Sequence, residues 1–178
     1  MKTAHILLAL ALLAGASRTV LADDAPDTRS LIDALLPLKT RSLRNLLAKP
    51  APVNPTAEVN QDAPPSVSLA IQFDFNSSHI NHGSQLALEH LASALKSPEL
   101  EHSSFLVEGH TDAKGGAAFN QQLSERRASE VKKTLVALGV AAERLRSAGK
   151  GASEPANPVD PFAAANRRVR IVNLDIPN

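Results

Sequence analysis

The sequence predicts an α+β fold in which helices pack on a mixed sheet. Three observations carry that expectation. Segments with alternating apolar residues and segments with apolar residues three and four apart follow one another in the order strand, helix, strand, helix, strand, strand. Proline and glycine mark the joins, at Pro98, at Gly139 and across 151–161. A chain of 178 residues holds one ordinary domain plus tails.

The domain is expected over 66–178. Val67, Leu69, Ile71, Phe73 and Phe75 alternate with smaller or polar residues, as in a half-buried strand. Leu88, Leu91, Ala92 and Leu95 have helical spacing, and Pro98 follows as a stop. Phe105, Leu106 and Val107 form a short buried strand. Ala128, Val131, Leu135 and Leu138 line one face of a second helix, and Gly139 is placed to cap it in a left-handed conformation. Residues 144–149 read as a further strand, 151–161 as a loop rich in proline and small residues, and 169–174 as the closing strand.

Three zones precede the domain. Residues 1–22 read as a secretory signal peptide: Lys2 gives the positive start, 6–14 the short apolar run, and Val20-Leu21-Ala22 the small-residue cleavage pattern. The apolar run is well short of the ~20 residues that a bilayer core requires. Residues 23–49 form a basic amphipathic helical arm, with Leu31, Ile32, Leu35, Leu36, Leu43, Leu46 and Leu47 at helical spacing and a break at Pro37. Arg29, Lys39, Arg41, Arg44 and Lys49 make it basic. The arm either packs on its own domain, the slightly favoured expectation, or docks a partner or an acidic surface. Residues 50–65 hold five prolines among polar residues and read as a stiff, extended linker.

Composition excludes several function classes. The net charge is +1, and removing Lys2 and Arg18 with the signal leaves 17 basic residues against 18 acidic, about −1. With aromatics at 3%, neither charge nor stacking supports nucleic-acid binding. There is no cysteine, hence no disulfide, thiolate metal site or lipid attached through sulfur. His79, His82, His90, His102 and His110 show no metal-ligand spacing, so neither metal nor cofactor is expected. No serine lies in a G-x-S-x-G turn, and Gly149-Lys150-Gly151 lacks the spacing of a phosphate loop.

The chemistry concentrates in 107–131, VEGHTDAKGGAAFNQQLSERRASEV. A strand ends at a turn carrying Asp112, glycines follow, and a helix begins whose early face carries Arg127, one turn beyond Leu123. A carboxylate from the turn and a guanidinium from the helix form a receptor for a zwitterion, with the guanidinium making paired bonds to a carboxylate. Arg126 points about 100° away around the helix and should be less involved. Amides near Asn120 and Gln121 are expected as further donors. Asp74 and Glu108 are the candidate pair for a glycoside hydrolase, against which Asp74 reads as a loop residue and Glu108 as the exposed side of a strand. Arg168 and Arg170 are expected on one solvated face, with Val169 and Ile171 facing the core.

Taken together, IQFDFNSS, the 107–131 segment, GKGASEP and NRRVRI occur in one order, and with them the chain resembles the OmpA-like peptidoglycan-binding domain found in OmpA, Pal and MotB. The likeness covers about 66–174. It implies a β-α-β-α-β-β sandwich and non-catalytic, non-covalent binding of peptidoglycan through meso-diaminopimelate of the stem peptide, in a Gram-negative periplasm and at the outer membrane. By the same resemblance Asp112 takes the side-chain ammonium and Arg127 the side-chain carboxylate. Thr111, Asn120 and Leu123 match motif positions flanking the pocket, and Asp74 and Asn76 lie in the first-strand motif that borders it. Phe119 departs from the tyrosine frequent in the family. The chain has neither the barrel of OmpA nor the lipid-bearing cysteine of Pal, so the anchor stays open. A MotB-like component of an envelope machine, held by an uncleaved N-terminal helix, is the alternative. N-terminal sequencing of the mature protein separates the two: cleavage predicts a start at Asp23, and an intact Met1 terminus would establish the anchored form.

Overall fold

A computed structural model describes residues 25–37, 64–74 and 77–175. The signal segment, most of the arm and the linker lie outside these, as does Asn76. Helix α1 (Thr28–Leu35) begins at Asp27, whose carboxylate accepts from the amides of Arg29 and Ser30 at 2.8 and 3.1 Å. It stops at Leu36, which turns extended (φ −72°, ψ 141°) because the ring of Pro37 disfavours helical geometry in the residue before it. Leu31, Ile32, Leu35 and Leu36 are buried in the same core as the domain leucines. The buried Asn173 amide donates to the Leu35 carbonyl at 3.0 Å, tying the helix end to the last strand. The first part of the arm therefore packs on its own domain. Leu31, Ile32, Leu35 and Leu36 are thus taken up by the core, while Leu43, Leu46 and Leu47 lie outside the described residues.

Four strands form one mixed sheet: β1 (Ser66–Leu69), β2 (Phe105–His110), β3 (Leu145–Gly151) and β4 (Val169–Asn173), in spatial order β1-β4-β2-β3. β4 runs antiparallel to both neighbours, whereas β2 and β3 are parallel. Helices α2 (Gln85–Leu95) and α3 (Ala117–Ala137) complete the predicted β-α-β-α-β-β order, with helices packed on the four-stranded mixed sheet. Phe105, Val107 and Ile171 meet Leu88, Leu91 and Leu95 of α2 and Val131 and Leu135 of α3 in the core. Gly139 ends α3 with φ 91°, as glycine can.

Several expectations change in detail. The first strand ends at Leu69, opposite Val169, because β4 begins there and offers no partner further along. The chain then runs on to Phe73, which bridges to Ile80, with the Asp74 amide bonded to the His79 carbonyl. The strand at 105–107 continues to His110, since β3 and β4 both pair with it that far or nearly so.

Glu108 is not on an exposed side. It is 4% exposed, because β2 is central and long basic side chains from both neighbouring strands lie over it. Lys150 Nζ is 3.4 Å from Glu108 Oε1, and Arg170 Nη1 is 3.6 Å from Oε2. Arg168 and Arg170 are accordingly half-buried rather than solvated, Arg170 also bonding Ser66 Oγ and Arg168 the Glu154 carbonyl. His110, on the same face and 2% exposed, lies 3.7 Å from Glu108 with no hydrogen-bond partner for either ring nitrogen among the described residues.

Burial, and next the charge of Arg168, hold the His110 imidazole below its ordinary value of 6.5, while Glu108 opposes them. A depressed folded value means that the unfolded chain takes up the proton first as the pH falls. The stability present above 6.5 is then lost as the pH drops from there through the lower folded value. Urea unfolding should therefore show a falling free energy between about pH 7 and pH 5. His110→Gln should flatten that slope, and an unchanged slope in the variant would exclude His110 as its source.

Candidate functional site

A close approach of helix to sheet builds the site. A Cβ on Gly109 would lie 2.2 Å from the Ser124 carbonyl oxygen, and one on Gly149 would lie 2.5 Å from the Glu125 amide. These two glycines of β2 and β3 let α3 rest its backbone on the strands at Ser124. The Ser124 hydroxyl locks the contact, accepting from the Gly151 amide at 2.9 Å and donating to the Gln121 carbonyl at 2.8 Å. Three residues beyond Gly109 the chain reaches Asp112, and three residues beyond Ser124 the helix presents Arg127.

The turn carrying Asp112 is held on several sides. The Thr111 amide donates to the Gly151 carbonyl at 2.9 Å, and the Ala113 amide to the Pro161 carbonyl at 3.0 Å. Asp112 Oδ1 accepts from the Lys114 amide at 3.1 Å. Asn120, 3% exposed, donates from Nδ2 to the carbonyls of Asp112 and Lys114, so its side chain shapes the turn. The expected free amides at Asn120 and Gln121 are corrected here. The helix starts at Ala117, the Asn120 amide is bonded to the Gly116 carbonyl, and the unpaired donors belong to the turn before it.

Asp112 and Arg127 open onto one cleft of about 470 Å³. Leu123 lines it as a 7%-exposed apolar residue, and Phe119 stands at its margin, 47% exposed. Thr111 contributes a buried hydroxyl with no hydrogen-bond partner among the described residues. Asp74 lines the same cleft from the turn after β1. The six expected site residues within the described part, Asp74, Thr111, Asp112, Asn120, Leu123 and Arg127, thus come together in one place. Arg126 is exposed and lines no part of it. Glu108 does not line it either, so the candidate hydrolase pair does not meet.

Arg127 sits 4.7 Å over the Phe73 ring centroid, and its Nε donates to the Ser77 carbonyl at 3.2 Å. These contacts fix the guanidinium plane while its Nη groups have no hydrogen-bond acceptor among the described residues. Burial, then the neighbouring Arg167 charge, lower its affinity for a proton, and Asp112 acts in the opposite direction. The group stays charged, as guanidinium does in proteins, so the cleft holds a part-desolvated cation in need of an anion.

Arg167 was not anticipated. Its Nη1 lies 2.7 Å from Asp112 Oδ2. It is the first arginine of NRRVRI, one residue before the alternating pair Arg168 and Arg170, and it leaves the sheet because the chain there is still in the loop. Buried Asn166 sets that geometry, its amide oxygen accepting from the Asn157 amide and its Nδ2 donating to the Asp160 and Pro161 carbonyls. The available signal was parity: Arg167 is out of step with the alternation of Arg168 and Arg170. Lys114 and Phe73 complete the lining. Three cations and two acids face the cleft, an excess of one positive charge.

Comparison with known proteins agrees with this architecture. The family model described as OmpA family matches residues 72–169. Outer membrane porin F of Pseudomonas aeruginosa is 41% identical over 106 residues, covering 58% of this chain and 30% of its own length. The chain thus spans under a third of that relative. Among solved structures, a periplasmic domain of Helicobacter pylori MotB is similar with a TM-score of 0.56 and 25% identity, over 66% of this chain and 86% of that one. The peptidoglycan-associated lipoprotein from Burkholderia pseudomallei is similar with a TM-score of 0.50 and 27% identity, over 67% and 99%. No helix among the described residues is long and apolar enough to cross a membrane.

The glycine contact can be tested directly. Gly109→Ala puts a methyl into the backbone of α3 and should cost about 3 kcal/mol or more of unfolding free energy, since neither partner is a flexible side chain. Gly83→Ala, whose methyl would meet only ordinary contacts at 3.6 and 3.8 Å, should change it by about 0.5 kcal/mol at most. Denaturant unfolding of the two variants measures the difference.

Proposed function

The chain belongs to the OmpA family, and on that premise we propose that it binds peptidoglycan non-covalently, without catalysis, through the side-chain end of meso-diaminopimelate in the stem peptide. One observation carries this reading: a carboxylate from the strand–helix turn and a guanidinium from the helix open onto the same cleft. The ligand end bears an ammonium and a carboxylate on one carbon. Asp112 receives the ammonium and Arg127 the carboxylate, with the Thr111 hydroxyl as a further partner and Leu123 against the methylene chain. Asn120 acts on the ligand through the turn it holds.

Arg167 is compatible with this assignment. Its side chain is 48% exposed against 10% for Asp112, so water reaches the pair from the arginine side and a ligand ammonium can take its place. A stem peptide with lysine in place of diaminopimelate supplies no carboxylate to Arg127. Leaving that part-buried group unmatched costs about 1–3 kcal/mol, roughly a tenfold to hundredfold preference.

The setting proposed is a Gram-negative periplasm, on the wall and near the outer membrane. A relative named outer membrane porin F and a similar periplasmic domain support it. An envelope partner for the basic arm would engage residues beyond Pro37, because the apolar residues of α1 are in the core. An N-terminally anchored, MotB-like component shares the same wall-binding chemistry and differs in its attachment.

The test is retention on purified sacculi. Asp112→Ala and Arg127→Ala should each reduce retention about tenfold or more, and Arg126→Ala should behave as wild type. Full retention of both site variants would refute the assignment, and release of soluble muropeptides by the wild type would favour the hydrolase instead.

A further inference from the structure

We infer that a second cleft, behind Arg127 and Arg167, is a peptide subsite that receives the carboxylate-bearing remainder of the stem; the inference rests on the diaminopimelate reading of the first cleft. This second cleft has a volume of about 350 Å³. It shares Phe73, Arg127 and Arg167 with the first, and is otherwise lined by Ala70, Ile71, Gln72 and Ala164. The two guanidinium groups therefore form the boundary between neighbouring clefts and belong to both. No acidic side chain lines the second one, so its charged lining is wholly cationic.

The backbone on one side of the cleft is suited to a peptide. Beyond Leu69 the chain has left the β1–β4 ladder. The Gln72 amide bonds Ser84 Oγ and its carbonyl accepts from the Asn81 amide, while the Asp74 amide bonds the His79 carbonyl. Residues 72 and 74 thus direct their backbone groups toward 79–84. In an extended chain the groups of successive residues point to opposite sides, so those of Ile71 and Phe73 point the other way. They have no backbone hydrogen-bond partner among the described residues. A short length of unpaired strand edge beside two arginines matches an extended peptide bearing carboxylates, which pairs main chain to main chain while its charges meet the guanidinium groups.

The stem has that chemistry. With the side-chain end of diaminopimelate in the first cleft, the rest of the molecule carries the free α-carboxylate of the γ-linked glutamate and the C-terminal carboxylate. One or two residues of extended chain cover about 3.5–7 Å, enough to pass from one cleft into the adjoining one. Arg167 then meets a stem carboxylate when the ligand ammonium takes its place on Asp112.

Isothermal titration of the full mature chain with three probes tests this: free meso-diaminopimelate, the tripeptide L-Ala-γ-D-Glu-meso-diaminopimelate, and that tripeptide with both backbone carboxylates amidated and the side-chain end intact. The tripeptide should bind about tenfold or more tighter than the free amino acid, and amidation should abolish the gain. Ala164→Trp and Ala70→Glu, both at exposed positions that line only the second cleft, should lower tripeptide affinity to that of free diaminopimelate and leave the latter unchanged. Equal affinities of the wild type for all three probes would overturn the subsite, as would tripeptide binding unaffected by both variants. Undiminished binding of free diaminopimelate by Asp112→Ala would instead strike the first-cleft reading, so the two failures are distinct.

Discussion

The contact between the backbone of α3 and the strands at Gly109 and Gly149 is the constraint on which the site depends. Any side chain at Gly109 would occupy the space of the Ser124 carbonyl, 2.2 Å away. The distance between helix and sheet is therefore set by backbone atoms, which cannot adopt another rotamer. Everything that follows is geometry counted from that point. Asp112 is three residues along β2 and its turn, Arg127 is about one helical turn along α3, and Asn120 is one turn back, bonded to the carbonyls around Asp112. A looser helix would move the acid and the guanidinium apart together with the residue that orients the turn.

Within that frame the charges are kept available in different ways. Arg127 is placed by groups that do not neutralise it: the face of Phe73, a carbonyl oxygen and partial burial. Asp112 is matched by a guanidinium, that of Arg167, which is half exposed and lines the same cleft. The acid thus has a partner that water reaches, and the guanidinium of Arg127 is held in a way that leaves its charge unmet. A zwitterion satisfies both at once. A simple anion would find Arg127 but compete with Asp112, and a simple cation would do the reverse.

Much of the fold was legible in the sequence because its periodicities are strong. The leucines of α2, the apolar face of α3 and the cap at Gly139 read directly from spacing and from the one residue that accepts a positive φ. That Asp112 and Arg127 open onto one cleft was legible because both lie in one unbroken segment. What could not be read was set by partners distant in sequence. β1 ends at Leu69 because β4, a hundred residues later, begins at Val169. Glu108 looks like an exposed strand position by alternation, yet Lys150 and Arg170 cover it from both sides. Arg167 escaped because its role depends on the Asn166-centred loop, whose hydrogen bonds no local pattern reveals.

The burial of Glu108 and His110 bears on the site from the other side of the sheet. β2 alternates, so Gly109 faces α3 while Glu108 and His110 face away, and Thr111 and Asp112 follow at its end. The strand that delivers the carboxylate is held against the helix on one face by the absence of a side chain. On the other it is held by an acid among two cations, Lys150 and Arg170, each from a neighbouring strand. Breaking such a buried set by removing one member leaves the remaining charges uncompensated, which costs more than a surface pair gains. Rigidity of the turn is thus supplied by both faces of one strand. This explains how Asp112, at the end of a six-residue strand and before a run of glycine and alanine, is held in register with a helix twenty-one residues long.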